Sequence, residues 1–245
     1  MSYKGKYITG KEDAYQISRS KIDFFNQCQR CFYLDRRHGI GRPGMIPFNL
    51  NIAVDNLLKN EFDGYREKGE EHPYIKQLGL NAIPFKHENM DRWRANFTGV
   101  SFVHEPTNFH VFGAVDDIWI DLDTQELIVV DYKATSKKGE VTIETGWGDS
   151  YKRQMEFYQF LLRGEGFKVS DTAYFVYCNG IKDKATFDEK LEFKVSLIPY
   201  TGNTDWINPK LIEIHTLLNQ EETPQPADDC EYCNYLKARY NQSKK

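Results

Sequence analysis

Two aspartates and a lysine are spaced to act on phosphate. In the stretch 113–135, GAVDDIWIDLDTQELIVVDYKAT, Asp116 falls on one expected strand and Asp131 and Lys133 on the next. Asp131 and Lys133 are two residues apart, so an extended chain places them on one face. Across a hairpin Asp116 can face them. Two carboxylates and a lysine are costly on a sheet face if they are buried and unpaired. A divalent cation relieves that cost, and carboxylate oxygens suit Mg²⁺ or Mn²⁺. Such a cation lowers the pKa of a bound water. A nearby ammonium then orients or helps to deprotonate that water and stabilises charge on a phosphorane-like transition state. The competing reading is an ion pair that is merely structural. A buried central strand ending in D-x-K argues against it.

The cysteines are the second group. Cys28, Cys31, Cys230 and Cys233 form two C-x-x-C pairs about 200 residues apart, and Cys178 stands alone. The start, MSYKGKYITGKEDAY, has no apolar stretch after its lysines and does not read as a secretory signal. No apolar run approaches the roughly 20 residues that cross a membrane. Both observations point to the cytoplasm, where disulfides are disfavoured and metal ligation is the better reading of the pairs. Four thiolates suit either a tetrahedral zinc or a [4Fe-4S] cluster. If the pairs share one site, it clamps the ends of the chain together. Cys178, inside the strand-like YFVYCNG, reads as a small core residue. The histidines are scattered, with no H-x-x-x-H pair, and read as surface or core; His110 is the best placed of them.

These residues need elements to position them. Residues 18–36 (SRSKIDFFNQCQRCFYLDR) read as one helix, capped by Ser18 or Ser20, with Ile22, Phe25 and Phe32 at helical spacing. Residues 38–47, rich in Gly and Pro, read as a loop. Residues 51–69 read as an amphipathic helix with Ile52, Val54, Leu57, Leu58 and Phe62 inward and Gly69 as its stop. A shorter helix is expected over 87–97. Residues 109–122 alternate with period two, 123–126 form a turn, and 126–135 is a nearly continuous apolar run that reads as a buried central strand. A helix over 148–166, strands over 171–180 and 191–200, and a helix from about Pro209 to 220 follow. Residues 222–229 are a Pro-rich linker to the final pair. The order predicts an α/β domain with helices packed on a mixed sheet.

Composition bounds the function. The chain has 245 residues, 40% hydrophobic and 28% charged, which is globular rather than disordered. A net charge of -4 excludes a uniformly basic nucleic-acid wrapper. It leaves room for a local basic surface, since residues 1–45 carry nine Lys or Arg against four Asp or Glu. The basic stretch 133–140, with Lys137 and Lys138, directly follows the D-x-K strand and is placed to meet phosphate. Trp147, Tyr151 and Tyr158 can stack on unpaired bases, although most aromatics in a chain that is 14% aromatic are core.

A G-x-x-D strand, a D-x-K strand and a helix bearing Q-x-x-x-Y together resemble the PD-(D/E)XK nuclease superfamily, and within it the RecB-like branch that includes CRISPR-associated exonucleases. Here the elements are Gly113 to Asp116, Asp131-Tyr132-Lys133, and Gln154 to Tyr158. The resemblance implies a restriction-endonuclease-like core. It implies that Asp116 and Asp131 bind Mg²⁺ or Mn²⁺, that the Tyr132 carbonyl completes the shell, and that Lys133 is the catalytic lysine. Gln154 and Tyr158, on one helix face at i and i+4, would face DNA near the site. RecB-like nucleases often carry a metal-binding histidine on an upstream helix. Asp55 stands at that place here and becomes a candidate ligand.

Iron–sulfur members of this branch carry one N-terminal cysteine in a context similar to residues 18–33, and C-x-x-C with a third cysteine at the C-terminus. Arg239 stands where that third cysteine is expected, so Cys31 would make the set two-plus-two. Family analogy favours the cluster, whereas two C-x-x-C pairs are a zinc spacing.

The expectation is a single nuclease domain over 1–245, with a cysteine helix and loop at 18–48, a catalytic core at 109–200 and a cysteine tail at 222–245. It would be a cytoplasmic, Mg²⁺- or Mn²⁺-dependent DNA nuclease, exonuclease-like on single-stranded or end-bearing DNA, in repair, recombination or defence. The alternative is a catalytically silent nucleic-acid-binding or assembly module of the same fold. No G-x-x-x-x-G-K-[ST] motif is present, so unwinding would need a helicase or another repair or defence partner.

Overall fold

Continuous apolar runs and period-two stretches lie between amphipathic helices, and the computed structural model, which describes residues 5–44 and 47–244, folds them into two sheets. Residues 1–4, and 45 and 46 of the expected loop, lie outside the described residues. β1 (Tyr15–Ser18) leads into α1 (Arg19–Gln27), α2 (Gln29–Tyr33) and a π-helical turn (Leu34–His38). The single helix expected over 18–36 is therefore broken. The break is Cys28, whose φ of -166° and ψ of 107° are extended. Ile22, Phe25 and Phe32 are buried as their spacing predicts.

α3 (Asn49–Lys68) ends at Gly69, which takes the left-handed φ of 66° that the stop requires. Its inner row is Val54, Leu58, Phe62 and Arg66, each four residues on. Ile52 and Leu57, expected inward, fall off that row and are 49% and 67% exposed. α4 (Pro73–Gln77), β2 (Ala82–Pro84) and α5 (Met90–Arg94) follow, then β3 (Val100–His104) and β4 (Phe109–Gly113). After β5 (Asp117–Asp121) and β6 (Leu127–Thr135) come α6 (Gly148–Gly164), β7 (Thr172–Gly180), β8 (Phe193–Thr201), α7 (Ile207–Leu218) and α8 (Glu231–Gln242). α7 starts at Ile207, two residues before Pro209, and α8 extends as a helix from what reads in the sequence as a cysteine tail.

The described chain forms two compact units. One comprises the described residues of 1–46, 102–112 and 205–245; the other comprises 47–101 and 113–204. Most of a three-stranded sheet, ordered β1-β4-β3, lies in the first. The second holds a five-stranded mixed sheet ordered β2-β5-β6-β7-β8. In it β6 pairs antiparallel with β5 and parallel with β7. A parallel pair needs a long crossover, and α6 provides it. β6 is buried on both faces, as its apolar run requires. Ile128, Val130 and Tyr132 join Trp119, Tyr174, Val176 and Cys178 in a core with Leu58 and Phe62 of α3. Cys178 is thus the core residue that its context predicts.

The strand expected over 109–122 is two strands in two sheets, β4 and β5. Burial alternates without a slip through Val111, Gly113, Val115 and Asp117, so the period survives while the pairing partner changes. Gly113 is at the changeover. A Cβ built there would stand 2.9 Å from a ring carbon of Tyr158 and 3.2 Å from a Leu161 methyl. Gly113→Ala is expected to cost about 1–3 kcal/mol of stability through overpacking. Thermal denaturation checks it: an unchanged melting temperature would mean that α6 yields freely.

Candidate active site

The hairpin register builds the centre of the site. Asp117 pairs with Val130 in the antiparallel ladder, so Asp116, one residue before, lies opposite Asp131, one residue after. The backbone N–H of Tyr132 donates to Oδ2 of Asp116 at 3.0 Å and ties that carboxylate to β6. The Asp121 side chain shapes the connecting turn by accepting from the backbone N–H groups of Asp123 and Thr124.

Asp131 is wholly buried, with the Asp116 carboxylate beside it. Its partner is the ammonium of Lys133 in a close ion pair. Burial pushes the Asp131 carboxyl above the usual carboxylate range; Lys133 pulls it down and Asp116 pushes it further up. Lys133 in turn reaches Oε1 of Gln154 at 3.4 Å and lies 4.7 Å from the centre of the Tyr151 ring. Nε2 of Gln154 donates to Oη of Tyr158 at 2.8 Å. Gln154 and Tyr158 are therefore an interior pair behind Lys133 on α6, both buried. Lys137 and Lys138 are exposed on the loop after β6, and the Asn179 side chain holds the Lys137 backbone at both N–H and C=O.

α3 adds two groups. Lys59 pairs with Asp55 at 2.7 Å and with Asp116 at 3.5 Å. Burial and then Asp116 push the Asp55 carboxyl up. Burial pulls the Lys59 ammonium down, but Asp116 and Asp55 outweigh it and hold it above its usual range. The centre thus gathers Asp55, Asp116 and Asp131 against Lys59 and Lys133. Three carboxylates and two ammonium groups leave one negative charge uncompensated. With Asp131 wholly buried beside Asp116, that carboxylate set fits a divalent cation.

Asp117, adjacent in sequence, has the opposite environment. It is fully buried and fully satisfied. It accepts from Arg66, from Arg94 at 2.9 Å, from Tyr132 Oη at 2.6 Å and from the Ile118 N–H at 2.8 Å. Asp63 completes a balanced set of two carboxylates and two guanidinium groups, and Nε of Arg94 also donates to the backbone carbonyl of Asp116 at 3.0 Å. The sequence reading missed Lys59, Arg66 and Arg94. The i+4 spacing of Lys59 from Asp55 is a sequence signal for the first. The arginines give none, since they meet Asp117 only through the fold.

A family model of the PD-(D/E)XK nuclease superfamily matches residues 52–238. The chain belongs to that superfamily. Its mixed sheet with flanking helices is the restriction-endonuclease-like fold, and superfamily members are generally nucleases that hydrolyse phosphodiesters. No curated protein matches the chain. Among the described residues, no helix is long and apolar enough to cross a membrane.

The other unit gathers the four cysteines. Sγ of Cys31 lies 3.5 Å from that of Cys233 and 3.7 Å from that of Cys230, and Cys28 lies 4.0 Å from Cys233. The extended backbone at Cys28 starts α2, which carries Cys31, while Cys230 caps α8, which carries Cys233. The group could hold a metal ion.

Proposed function

We propose that this superfamily member is a divalent-cation-dependent DNA nuclease of the cytoplasm. It would act as an exonuclease on single-stranded or end-bearing DNA in repair, recombination or defence. One observation carries the reading: Asp131 is held out of water opposite Asp116 and beside Lys133. Asp116, Asp131 and the Tyr132 carbonyl would hold Mg²⁺ or Mn²⁺, with Asp55 as a further ligand from α3. When bound, the cation supplies Lewis acidity and a more acidic water at neutral pH.

The chain's own groups do the rest. Lys133 stabilises the negative charge that builds on the phosphate oxygens during attack. An ammonium has no free lone pair to take the proton of the attacking water, so its part is electrostatic. Gln154 is fixed by Tyr158, and its Oε1 holds Lys133 in place. Both are positioning residues. The half-buried Tyr151 borders the same ammonium. Lys137 and Lys138 bind the strand's phosphates without reading its sequence. Duplex unwinding would come from a helicase or another repair or defence protein.

The test uses end-labelled single-stranded and duplex DNA with Mg²⁺, Mn²⁺ or EDTA. Wild-type protein should cut with either cation and stop with EDTA. Lys133→Met should lose about a hundredfold or more in turnover with DNA affinity nearly unchanged, as for loss of a group that acts on transition-state charge. DNA binding without cleavage in either cation would overturn the proposal and favour the catalytically silent binding module.

A further inference from the structure

The two occupants that four thiolates can hold require different sulfur spacings. A single tetrahedral ion with metal–sulfur bonds of about 2.3 Å sets its sulfurs about 3.8 Å apart, the edge of the tetrahedron. A [4Fe-4S] cubane gives each thiolate its own iron at a separate corner, which sets the sulfurs about 6 Å apart or more. In this chain three of the pairs are 3.5, 3.7 and 4.0 Å apart, and all four sulfurs lie within 4.8 Å of one another. That spacing encloses one ion and leaves no room for a cubane.

We infer that Cys28, Cys31, Cys230 and Cys233 hold a single tetrahedral Zn²⁺ and not the iron–sulfur cluster that the RecB-like resemblance implies. Three further observations agree. Cys31 is central to the group, close to both C-terminal cysteines, so the ligand set is two-plus-two. Arg239, at the place of the third C-terminal cysteine of iron–sulfur members, is exposed on α8. Four protein ligands leave no open position, as in structural zinc sites, and Zn²⁺ lies above Fe²⁺ in affinity for such donors.

A cation borders the sulfurs. Nη2 of Arg42 donates to Sγ of Cys230 at 3.3 Å. The guanidinium lies 4.6 Å from the Phe24 ring centre and 4.5 Å from that of Tyr232, within cation–π reach of both. Four thiolates around a divalent ion carry two net negative charges, and Arg42 offsets one. The ion joins α1 and α2 to α8 and has no redox step to perform. The inference is independent of nuclease activity.

The full chain, purified anaerobically from cells supplied with both iron and zinc, should contain about one zinc per chain, no acid-labile sulfide and no broad absorbance near about 400 nm. X-ray absorption at the zinc edge should show four sulfurs at about 2.3 Å. Exchange with Co²⁺ should give the visible bands of a tetrahedral tetrathiolate site, and Cys31→Ser should lose most of the zinc. Should that variant fail to fold, the zinc-edge ligand count on wild-type protein decides alone. About four irons and four sulfides per chain would overturn the inference in favour of the cluster. One iron without sulfide, or a chain that binds neither Zn²⁺ nor Co²⁺, would overturn it as well.

Discussion

Asp131→Asn is expected to lower DNA cleavage by about a thousandfold or more while leaving the protein folded. A cation-binding carboxylate contributes several kcal/mol of transition-state charge stabilisation, and each factor of ten corresponds to about 1.4 kcal/mol. The fold should tolerate the change because Asn keeps the shape of the side chain and the ion-pair partner, Lys133, has other contacts. A neutral amide of the same shape removes the desolvation cost of a buried charge. Lys133 loses its ion-pair partner but keeps Oε1 of Gln154 and the Tyr151 ring. These changes oppose each other, so stability should move by no more than about 1–2 kcal/mol. A second readout needs no catalysis. Binding of Mn²⁺ to the native state alone, at a hundred times its dissociation constant, adds about 2.7 kcal/mol, or roughly 5–10 °C in Tm for a chain of this size. Wild-type protein should show that shift and Asp131→Asn should not. A variant that still cuts, or still gains the Mn²⁺ shift, would remove Asp131 from the cation site.

The centre of this site is legible in the sequence because short-range geometry fixes it. Asp131 and Lys133 share a face by the period of an extended chain, and a hairpin with a short turn puts Asp116 opposite them. The helix from Gly148 brings Gln154 and Tyr158 together by its own periodicity. What the sequence conceals is pairing and long-range partnership. Residues 109–117 keep one burial alternation, so nothing in the pattern marks the exchange of one sheet for another at Ala114 to Asp116. The break at Cys28 is concealed for a similar reason. Residues on both sides have helical spacing, and the extended backbone between them accompanies the meeting of Cys28 and Cys31 with residues about 200 positions away. β2 and α4 are too short to give a periodic signal, at 3 and 5 residues. The sulfur spacing is a tertiary quantity, so the two C-x-x-C pairs are compatible with either metal centre until the chain is folded.

Asp116 and Asp117 have nearly the same sequence context, and substituting each should have opposite consequences. Asp117→Ala is expected to destabilise the protein by about 3–5 kcal/mol, the loss seen when one partner of a buried ion pair is removed. For a chain of this length that is a fall in Tm of about 10 °C or more. The cost comes from what remains. Arg66 and Arg94 would keep only Asp63, whose side chain is 43% exposed, against two guanidinium charges. The Tyr132 hydroxyl and the Ile118 N–H would also lose their acceptor in the interior. Asp116→Ala removes a side chain that is 23% exposed and has a lysine from α3 beside it, so its Tm should stay within a few degrees of wild type while cleavage is lost. The two phenotypes are linked through Arg94, which holds Asp117 by its side chain and Asp116 by its backbone carbonyl. Arg94→Met should therefore lower both stability and cleavage, each by less than the aspartate variant that removes it most strongly. Thermal melts and single-turnover cleavage on all three variants separate the roles. Equal losses of Tm for Asp116→Ala and Asp117→Ala would mean that both aspartates support the fold and that Asp116 is no cation ligand.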